Sequence, residues 1–209
     1  HFEDYSHVKD WEDIPTPFFD SVLEYQDYDR EIIKWMNIFG GRLCFEVNEM
    51  DKWQIIPFLK GIARSGKSTL ITRVFQKFYE ADDVKTLSNN IEKKFGLSNI
   101  HDALIFIASE IKGDLQLEQA EFQSIVSGEE VSIAVKCEKA KNFRWKVPGI
   151  LGGNEVPSWK DKSGSILRRL VTFHFGKQVR DNDTDPMLDT KLEKEIPIIL
   201  QKFLAFSHF

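Results

Sequence analysis

Residues 61–69 read GIARSGKST and match the pattern GxxxxGK[ST]. The apolar run WQIIPFLKG (53–61) precedes the motif, and STLITRVFQKFY (68–79), with apolar residues at helical spacing, follows it. Glycines in such a loop allow backbone N–H groups to curl around phosphate oxygens, and the next helix directs its positive end at them. The stretch therefore predicts a nucleotide site, with Lys67 reaching the β- and γ-phosphates and Ser68 binding Mg²⁺.

The whole motif contributes to this predicted site. Its expected nucleotide contacts are Gly61, Ala63, Arg64, Ser65, Gly66, Lys67, Ser68 and Thr69. The alternative is a chance glycine turn before a helix with an exposed lysine, and the predicted strand before and helix after the motif weigh against it. A phosphate loop alone does not distinguish kinases, GTPases, packaging motors and helicases, so other residues must do so.

Glu110 is the first of these residues. It follows ALIFIAS (103–109), which is apolar enough for a strand buried on both faces. Nucleotide hydrolases keep an acid at this place to bind Mg²⁺ through water or to polarise the attacking water. Many such enzymes have two consecutive acids here, whereas this chain has Ser109 and then Glu110. The alternative is a surface glutamate at the end of a strand.

Asn154 follows the apolar stretch VPGILGG (147–153). If that stretch is a core strand beside the phosphate-loop strand, Asn154 lies at its tip and can orient a water molecule against the γ-phosphate. The alternative is an ordinary turn, because Gly-Gly-Asn is also typical turn chemistry.

Arg168 and Arg169 precede the strand-like run LVTFHF (170–175). Two like charges cannot be buried together without acidic partners, because removing each from water costs several kcal/mol. They must therefore face solvent, an acid or phosphate. If one faces phosphate across a subunit boundary, it is an arginine finger supplied in trans. The alternatives are a solvated pair, or one arginine that holds an acid of the core.

Charge is unevenly distributed along the chain, whose net charge is −5. Residues 1–31 hold ten acidic residues against Lys9 and Arg30 and should repel phosphate. The segment VSIAVKCEKAKNFRWKV (131–147) has β-branched flanks around a charged middle, a pattern typical of a hairpin. Its basic residues are Lys136, Lys139, Lys141, Arg144 and Lys146.

The composition predicts one α/β domain with helical additions. Hydrophobic residues make up 42% of the 209 residues, and no apolar run approaches the roughly 20 residues that cross a bilayer. Cys44 and Cys137 lack metal-ligand spacing, which favours a reducing compartment. The missing initiator Met and secretory signal predict a fragment of a longer intracellular protein that is not secreted.

The apolar pattern divides the chain into three segments. We expect residues 1–50 to form an acidic helical segment, 51–177 a core with the phosphate loop and a mostly parallel sheet, and 178–209 a helical segment. Within the last segment, Pro197 is expected to open a helix that ends at about Leu204, since proline is tolerated in a first helical turn.

The ordered set GIARSGKST, LIFIASE, the hairpin, GGNEVP and RRLVTFHF resembles the superfamily 3 helicases. The resemblance runs from about Ile55 to Phe175 and is greatest to the primase-helicases of large DNA viruses of poxvirus and asfarvirus type. It implies an AAA+-like core, a hexameric ring, ATP hydrolysis between subunits with Mg²⁺, and translocation on single-stranded DNA. It also implies a primase part elsewhere in the polypeptide and a location in the host cytoplasm, or in the nucleus, with no membrane association.

The resemblance also implies roles for individual residues. Lys67 and Ser68 become the Walker A pair, Glu110 the Walker B acid, Asn154 the sensor and Arg169 the arginine finger, with Arg168 as the second choice. The hairpin projects into the pore, with Lys139 and Lys141 near its tip and Lys136 and Arg144 as further DNA contacts. Ser65 and Ser109 depart from the family pattern, and Ser109 leaves the rate of turnover open. The alternatives are a nucleotide-binding scaffold for oligomerisation and another motor, such as a DNA packaging ATPase.

Overall fold

A computed structural model describes residues 4–5, 7–8, 10–90, 96–133, 140–157, 159 and 164–205 of the chain. The strands are β1 (Ile56–Gly61), β2 (Val84–Thr86), β3 (Ile105–Ile111), β4 (Glu130–Ile133), β5 (Lys141–Arg144), β6 (Gly149–Gly153) and β7 (Leu170–Phe175). The α-helices are α1 (Pro17–Glu24), α2 (Arg30–Arg42), α3 (Lys67–Thr69), α4 (Gln119–Ser127) and α5 (Leu188–Leu204). A π-helical stretch, Leu70–Val74, and a 3-10 turn, Phe75–Phe78, continue α3. Further 3-10 turns span Trp11–Asp13, Ala81–Asp83, Leu97–Asn99, Leu167–Arg169 and Asp181–Asp183.

Five strands form a parallel sheet in the order β2-β3-β6-β1-β7. β6 is buried along its whole length, and β1 and β3 are buried over their first four residues, because both faces of the sheet are covered. β4 and β5 form a separate antiparallel pair. The predicted α/β fold is therefore confirmed, with its central parallel sheet, flanking helices and hairpin before the strand that leads to Asn154.

Each face of the sheet has its own hydrophobic core. On one face, α1, α2, α5 and the helix after the phosphate loop pack around side chains such as Leu59, Phe75 and Phe203. On the other face, α4 and the hairpin base pack around Phe58, Phe106 and Trp145. Alternate strand residues supply the two cores, as the two-residue period of a strand requires.

The two ends of the chain are joined by buried polar contacts between α1 and α5. Glu195 is 5% exposed and accepts hydrogen bonds from the backbone N–H groups of Phe18 (3.1 Å) and Phe19 (2.7 Å). Since the first N–H groups of a helix have no partner inside the helix, this carboxylate satisfies two donors of α1. Lys202 Nζ donates to Thr16 Oγ1 (2.7 Å) and to both carboxylate oxygens of Asp20 (2.9 and 2.8 Å).

The helix at the C-terminal end differs from its prediction. It begins at Leu188, and Pro197 lies inside it. The apolar side chains of Leu192, Ile199 and Phe203 are fully buried on one face, so packing outweighs the hydrogen bond that proline cannot make. In the part of the chain that the structure describes, no helix has both the length and the apolar character needed to span a membrane.

Candidate functional site

The phosphate loop leaves β1 at Gly61 and enters α3 at Lys67. Arg64 (φ 57°) and Gly66 (φ 94°) have left-handed backbone conformations that turn the loop back on itself. A Cβ atom at Gly61 would lie 2.0 Å from the carbonyl oxygen of Phe175, so only glycine fits where β7 ends. The motif therefore forms a turn with left-handed residues, a feature of backbone turns that can bind anions.

Lys67 is held against this loop and is only 6% exposed. Its Nζ donates to the carbonyl oxygens of Gly61 (2.8 Å) and Ile62 (2.5 Å) and to Ser65 Oγ (3.3 Å). Burial lowers the pKa of the Lys67 ammonium, and the Glu110 carboxylate acts in the opposite direction. Among the other predicted contacts, Ala63, Arg64 and Ser68 are exposed and Thr69 is half-buried.

Glu110 lies inside β3 and not after it, which corrects the sequence prediction. The pairing of β3 with β6 shifts register between Ala108 and Ile111, so Glu110 occupies an irregularity in the strand. Asn89 holds this irregularity: its Nδ2 donates to the Glu110 carbonyl (2.9 Å), and its Oδ1 accepts from the N–H of Lys112 (2.7 Å). Irregularities of this kind change the direction in which a side chain points and are common next to active sites. The Glu110 side chain is exposed.

Asn154 directly follows β6, whose last residue, Gly153, pairs with Lys60 of β1 and with Ile111 of β3. The parallel order β3-β6-β1 therefore brings Asn154 between Glu110 and the phosphate loop. Its side chain is exposed. Three predicted site residues, Lys67, Glu110 and Asn154, thus meet at the carboxyl edge of the sheet, where open α/β sheets bind their ligands.

Arg168 and Arg169 lie at the opposite edge of the same sheet. They close the 3-10 turn before β7, whose first residue, Leu170, pairs with Ile56 at the start of β1. The length of β7, about 17 Å, separates them from the carboxyl edge. The sheet therefore keeps both arginines away from the phosphate loop of their own chain.

The two arginines have different surroundings. Arg169, the first choice for a finger, is 7% exposed; its Nε donates to Ser127 Oγ (3.2 Å) and its Nη1 to the carbonyl oxygen of Ser165 (2.7 Å). Arg168, the second choice, is exposed. Only one of the two is therefore buried, in keeping with the cost of burying two like charges together.

The predicted DNA-binding hairpin is described in part. Ser132 pairs with Asn142 and Ile133 with Lys141, and Arg144 lies opposite Glu130 at its base. Lys141 and Arg144 are both exposed. Lys136 and Lys139 lie outside the described residues. Trp145 anchors the base: its side chain is buried, its backbone N–H donates to the carbonyl oxygen of Glu129 (3.0 Å), and its indole N–H donates to the carbonyl oxygen of Val147 (2.8 Å).

Gln26 contacts the phosphate loop and was not predicted from the sequence. This buried side chain donates from Nε2 to the carbonyl oxygens of Ser65 (3.1 Å) and Lys177 (2.9 Å), and its Oε1 accepts from the Lys177 N–H (2.9 Å). One amide group thus provides hydrogen-bond partners for backbone groups of both the phosphate loop and the segment after β7. No local sequence pattern predicts these contacts of Gln26, because its partners are 39 and 151 positions away along the chain.

A cavity of about 450 Å³ opens beside the phosphate loop. One wall consists of Val22 and Tyr25 at the end of α1, and the other of Asp183 and Leu188 near the start of α5. Tyr25 Oη donates to an Asp183 carboxylate oxygen (3.0 Å) and so joins the two walls. The Val179 N–H donates to the Arg64 carbonyl oxygen (2.8 Å), which ties the segment after β7 to the phosphate loop. Segments near the two ends of the chain thus form a pocket next to the phosphate loop.

Solved structures support the fold. Two apo structures of the NrS-1 C-terminal region match with TM-scores of 0.66 and 0.67 at 17% and 15% identity; each match covers 91% of this chain and 45% of that chain. This chain therefore spans slightly less than half of that region. A JCV helicase matches with a TM-score of 0.47 at 17% identity, over 96% of this chain and 61% of that chain. At these identities the NrS-1 likeness concerns the fold, which together with the loop geometry is that of a P-loop NTPase-like α/β protein.

The family comparison covers the segment that contains these site residues. The match runs over residues 59–169, from within β1 to the arginine pair, and includes Lys67, Glu110 and Asn154. It extends over more than half of the chain. The chain therefore belongs to DUF5906, a family of unknown function.

Proposed function

We propose that this chain is the ATP-driven motor of a superfamily 3 type DNA helicase, which hydrolyses ATP between neighbouring subunits of a hexameric ring and moves along single-stranded DNA. One observation carries the proposal. Lys67, Glu110 and Asn154 come from three separate segments of the sequence and meet at one edge of the sheet, beside a glycine turn that suits phosphate.

The phosphate loop has the groups that ATP requires. Lys67 Nζ is bound to two loop carbonyls, and phosphate oxygens are stronger acceptors for an ammonium group than neutral carbonyls are. Binding of ATP therefore exchanges these contacts without breaking the fold of the loop. The cavity beside Gly66 falls within the range of about 300–1,000 Å³ typical of small-ligand pockets, so it has room for the nucleoside.

The residues at this edge of the sheet also suit the hydrolysis of ATP. Ser68, exposed at the start of α3, and Glu110 supply the oxygen ligands that Mg²⁺ prefers. A bound Mg²⁺ would neutralise the charge of the phosphates. The Glu110 carboxylate can accept a proton from the attacking water, and the amide of Asn154 can orient that water.

The arginine must come from a second subunit. Arg168 and the phosphate loop lie at opposite edges of one sheet, so a head-to-tail contact between subunits is needed to bring them together. Repeated contacts of this kind form a ring where the rotation between subunits closes, and an open filament where it does not. We assign the finger role to Arg168 because it is exposed, whereas the guanidinium of Arg169 is engaged inside the protein.

The hairpin is the proposed DNA contact. Lys141 and Arg144 are exposed on it, while the chain as a whole has a net charge of −5. A basic element in an otherwise acidic protein attracts the phosphate groups of DNA to that part of the surface. Flexible basic side chains contact the DNA backbone without reading bases, as movement along any sequence requires.

The first test is ATP hydrolysis by the assembled protein with and without single-stranded DNA. We expect turnover that rises when DNA is added, since the hairpin and the ATP site belong to one assembly. The Lys67→Ala variant, purified in parallel, reports contaminating activity. ATP binding without hydrolysis, in the presence or absence of DNA, would overturn the motor function.

Replacing Lys139 and Lys141 together with alanine should weaken binding to single-stranded DNA in a salt-dependent way. Each lost phosphate contact reduces the slope of log K against log salt by about 0.7 for single strands, so we expect a reduction of about 1.4. Fluorescence anisotropy over a salt series measures the slope. Lys194→Ala, an exposed lysine on α5, is the control. A slope equal to that of the control would remove the hairpin lysines from the interface.

A second candidate is a nucleotide-binding scaffold that assembles without turnover. Ser109 favours it, because a hydroxyl replaces the first of two acids found in many ATP hydrolases. ATP-dependent assembly in the ultracentrifuge, without steady-state or burst hydrolysis, would support the scaffold over the motor. A DNA packaging motor is less well supported, because the hairpin lies directly before β6 in this chain.

A further inference from the structure

The hairpin is joined to α4 by a very short connection. α4 ends at Ser127, Gly128 caps it in the left-handed conformation (φ 66°), and β4 begins at Glu130. A Cβ atom at Gly128 would lie 2.3 Å from Asn48 Nδ2, so glycine is required there. With so few residues between them, any shift at the end of α4 is passed to the base of the hairpin.

Ser127 receives hydrogen bonds from two distant parts of the chain. Its side-chain Oγ accepts from Arg169 Nε (3.2 Å), and its carbonyl oxygen accepts from Asn48 Nδ2 (2.8 Å). Ser127 is 3% exposed and Arg169 7% exposed, so water has little access to replace the bond between them. The bond links the last turn of α4 to the residue directly after Arg168.

A second set of contacts binds the same segment to α4. Arg169 Nη1 donates to the carbonyl oxygen of Ser165 (2.7 Å), and Ser165 Oγ accepts from Gln123 Nε2 (2.6 Å) and Gln119 Nε2 (3.3 Å). Gln119, Gln123 and Ser127 follow one another at four-residue intervals on one face of the helix. The turn that bears Arg168 is therefore attached along the length of α4.

We propose that Arg169 and Ser127 form a latch that couples Arg168 to the DNA-binding hairpin, and that Arg169 is a positioning residue and not the finger. This inference rests on the proposed function. When Arg168 engages the phosphates of a neighbouring subunit, its turn shifts, and the buried guanidinium of Arg169 carries the shift to the end of α4 and so to β4. Coupling between two binding sites is reciprocal, so DNA held by the hairpin changes the placement of Arg168.

Ser127→Ala tests the latch. The substitution removes the Oγ acceptor and keeps the backbone bond to Asn48. We expect hydrolysis without DNA within about twofold of wild type and stimulation by single-stranded DNA reduced by about fivefold or more, the lower end of ordinary coupling between sites. Ser124→Ala, which removes a hydroxyl of the same helix that donates to the Glu129 carboxylate (3.4 Å), is the matched control and should keep full stimulation.

Ser165→Ala is the second variant. It removes the hydroxyl that accepts from Gln119 and Gln123 and leaves the carbonyl bound to Arg169, so stimulation should fall while hydrolysis without DNA stays. Wild-type stimulation in both variants overturns the latch. An equal loss of basal and stimulated rates, with a lowered Tm, also overturns it, because that result indicates a structural role. If the wild-type protein itself is not stimulated by DNA, it is the proposed function that has failed.

Discussion

Replacement of either Lys67 or Arg168 with alanine is expected to lower the rate of ATP hydrolysis by about 10³-fold or more, the scale of an arginine finger, and mixing the two variants should restore part of it. On the proposed function, Lys67→Ala removes the ammonium that holds the phosphates, whereas Arg168→Ala removes a charge supplied to the next subunit. In a random mixture, about a quarter of the interfaces combine the intact halves of both variants. Steady-state ATPase assays of assembled protein, alone and mixed, measure the recovery.

The controls for this experiment distinguish the role of Arg168 from that of Arg169. Arg30→Ala removes an exposed arginine that pairs with Glu12 and should leave hydrolysis unchanged. Arg169→Ala alone should keep a far larger share of the rate than Arg168→Ala, because it removes no charge from the phosphates of the neighbouring subunit, so mixing it with Lys67→Ala leaves little to restore. Recovery with Arg169→Ala and none with Arg168→Ala would return the finger role to Arg169 and remove the proposed latch. No recovery with either arginine variant would contradict catalysis across a subunit boundary.

Lys202→Ala is expected to lower the free energy of unfolding by about 3 kcal/mol, the lower end of the cost of breaking a buried ion pair. The Lys202 side chain is 3% exposed, and its ammonium joins Asp20 and Thr16 of the N-terminal segment to α5. Alanine leaves the Asp20 carboxylate without this partner, and because that carboxylate is 26% exposed, water limits the loss. Equilibrium unfolding in urea measures the difference.

Lys194→Ala provides the comparison for Lys202, because it removes an exposed lysine from the same helix. We expect a change within about 0.5 kcal/mol, as for most surface substitutions. Equal losses for the two variants would mean that the buried ion pair contributes nothing beyond helix propensity. Lys202→Met combined with Asp20→Asn should recover part of the loss, since the double variant removes both charges of the ion pair.

Much of the fold could be predicted from local patterns. The phosphate loop depends on backbone conformations and on side chains within nine consecutive residues, so its motif predicts both the turn and its ligand. The strands leading to Glu110 and Asn154 are apolar runs, and in a parallel sheet their carboxyl ends lie at one edge. The meeting of Lys67, Glu110 and Asn154 therefore follows from strand order and direction.

Other features could not be predicted, because contacts far along the chain determine them. The position of Glu110 within β3 depends on Asn89 and on the register with β6, and Pro197 lies inside α5 because packing on the sheet outweighs its missing N–H. No short sequence pattern indicates contacts between residues this far apart along the chain.

The sequence alone determined the glycine turn after β1, four strands of the parallel sheet and the presence of two arginines before β7, since each depends on neighbouring residues. Only the tertiary structure decided that Gln26 bonds to the phosphate loop, that both ends of the chain form the adjoining pocket, and that Arg168 is exposed while Arg169 bonds to Ser127. The reason is physical: burial and hydrogen bonding of a side chain depend on what the rest of the chain brings against it.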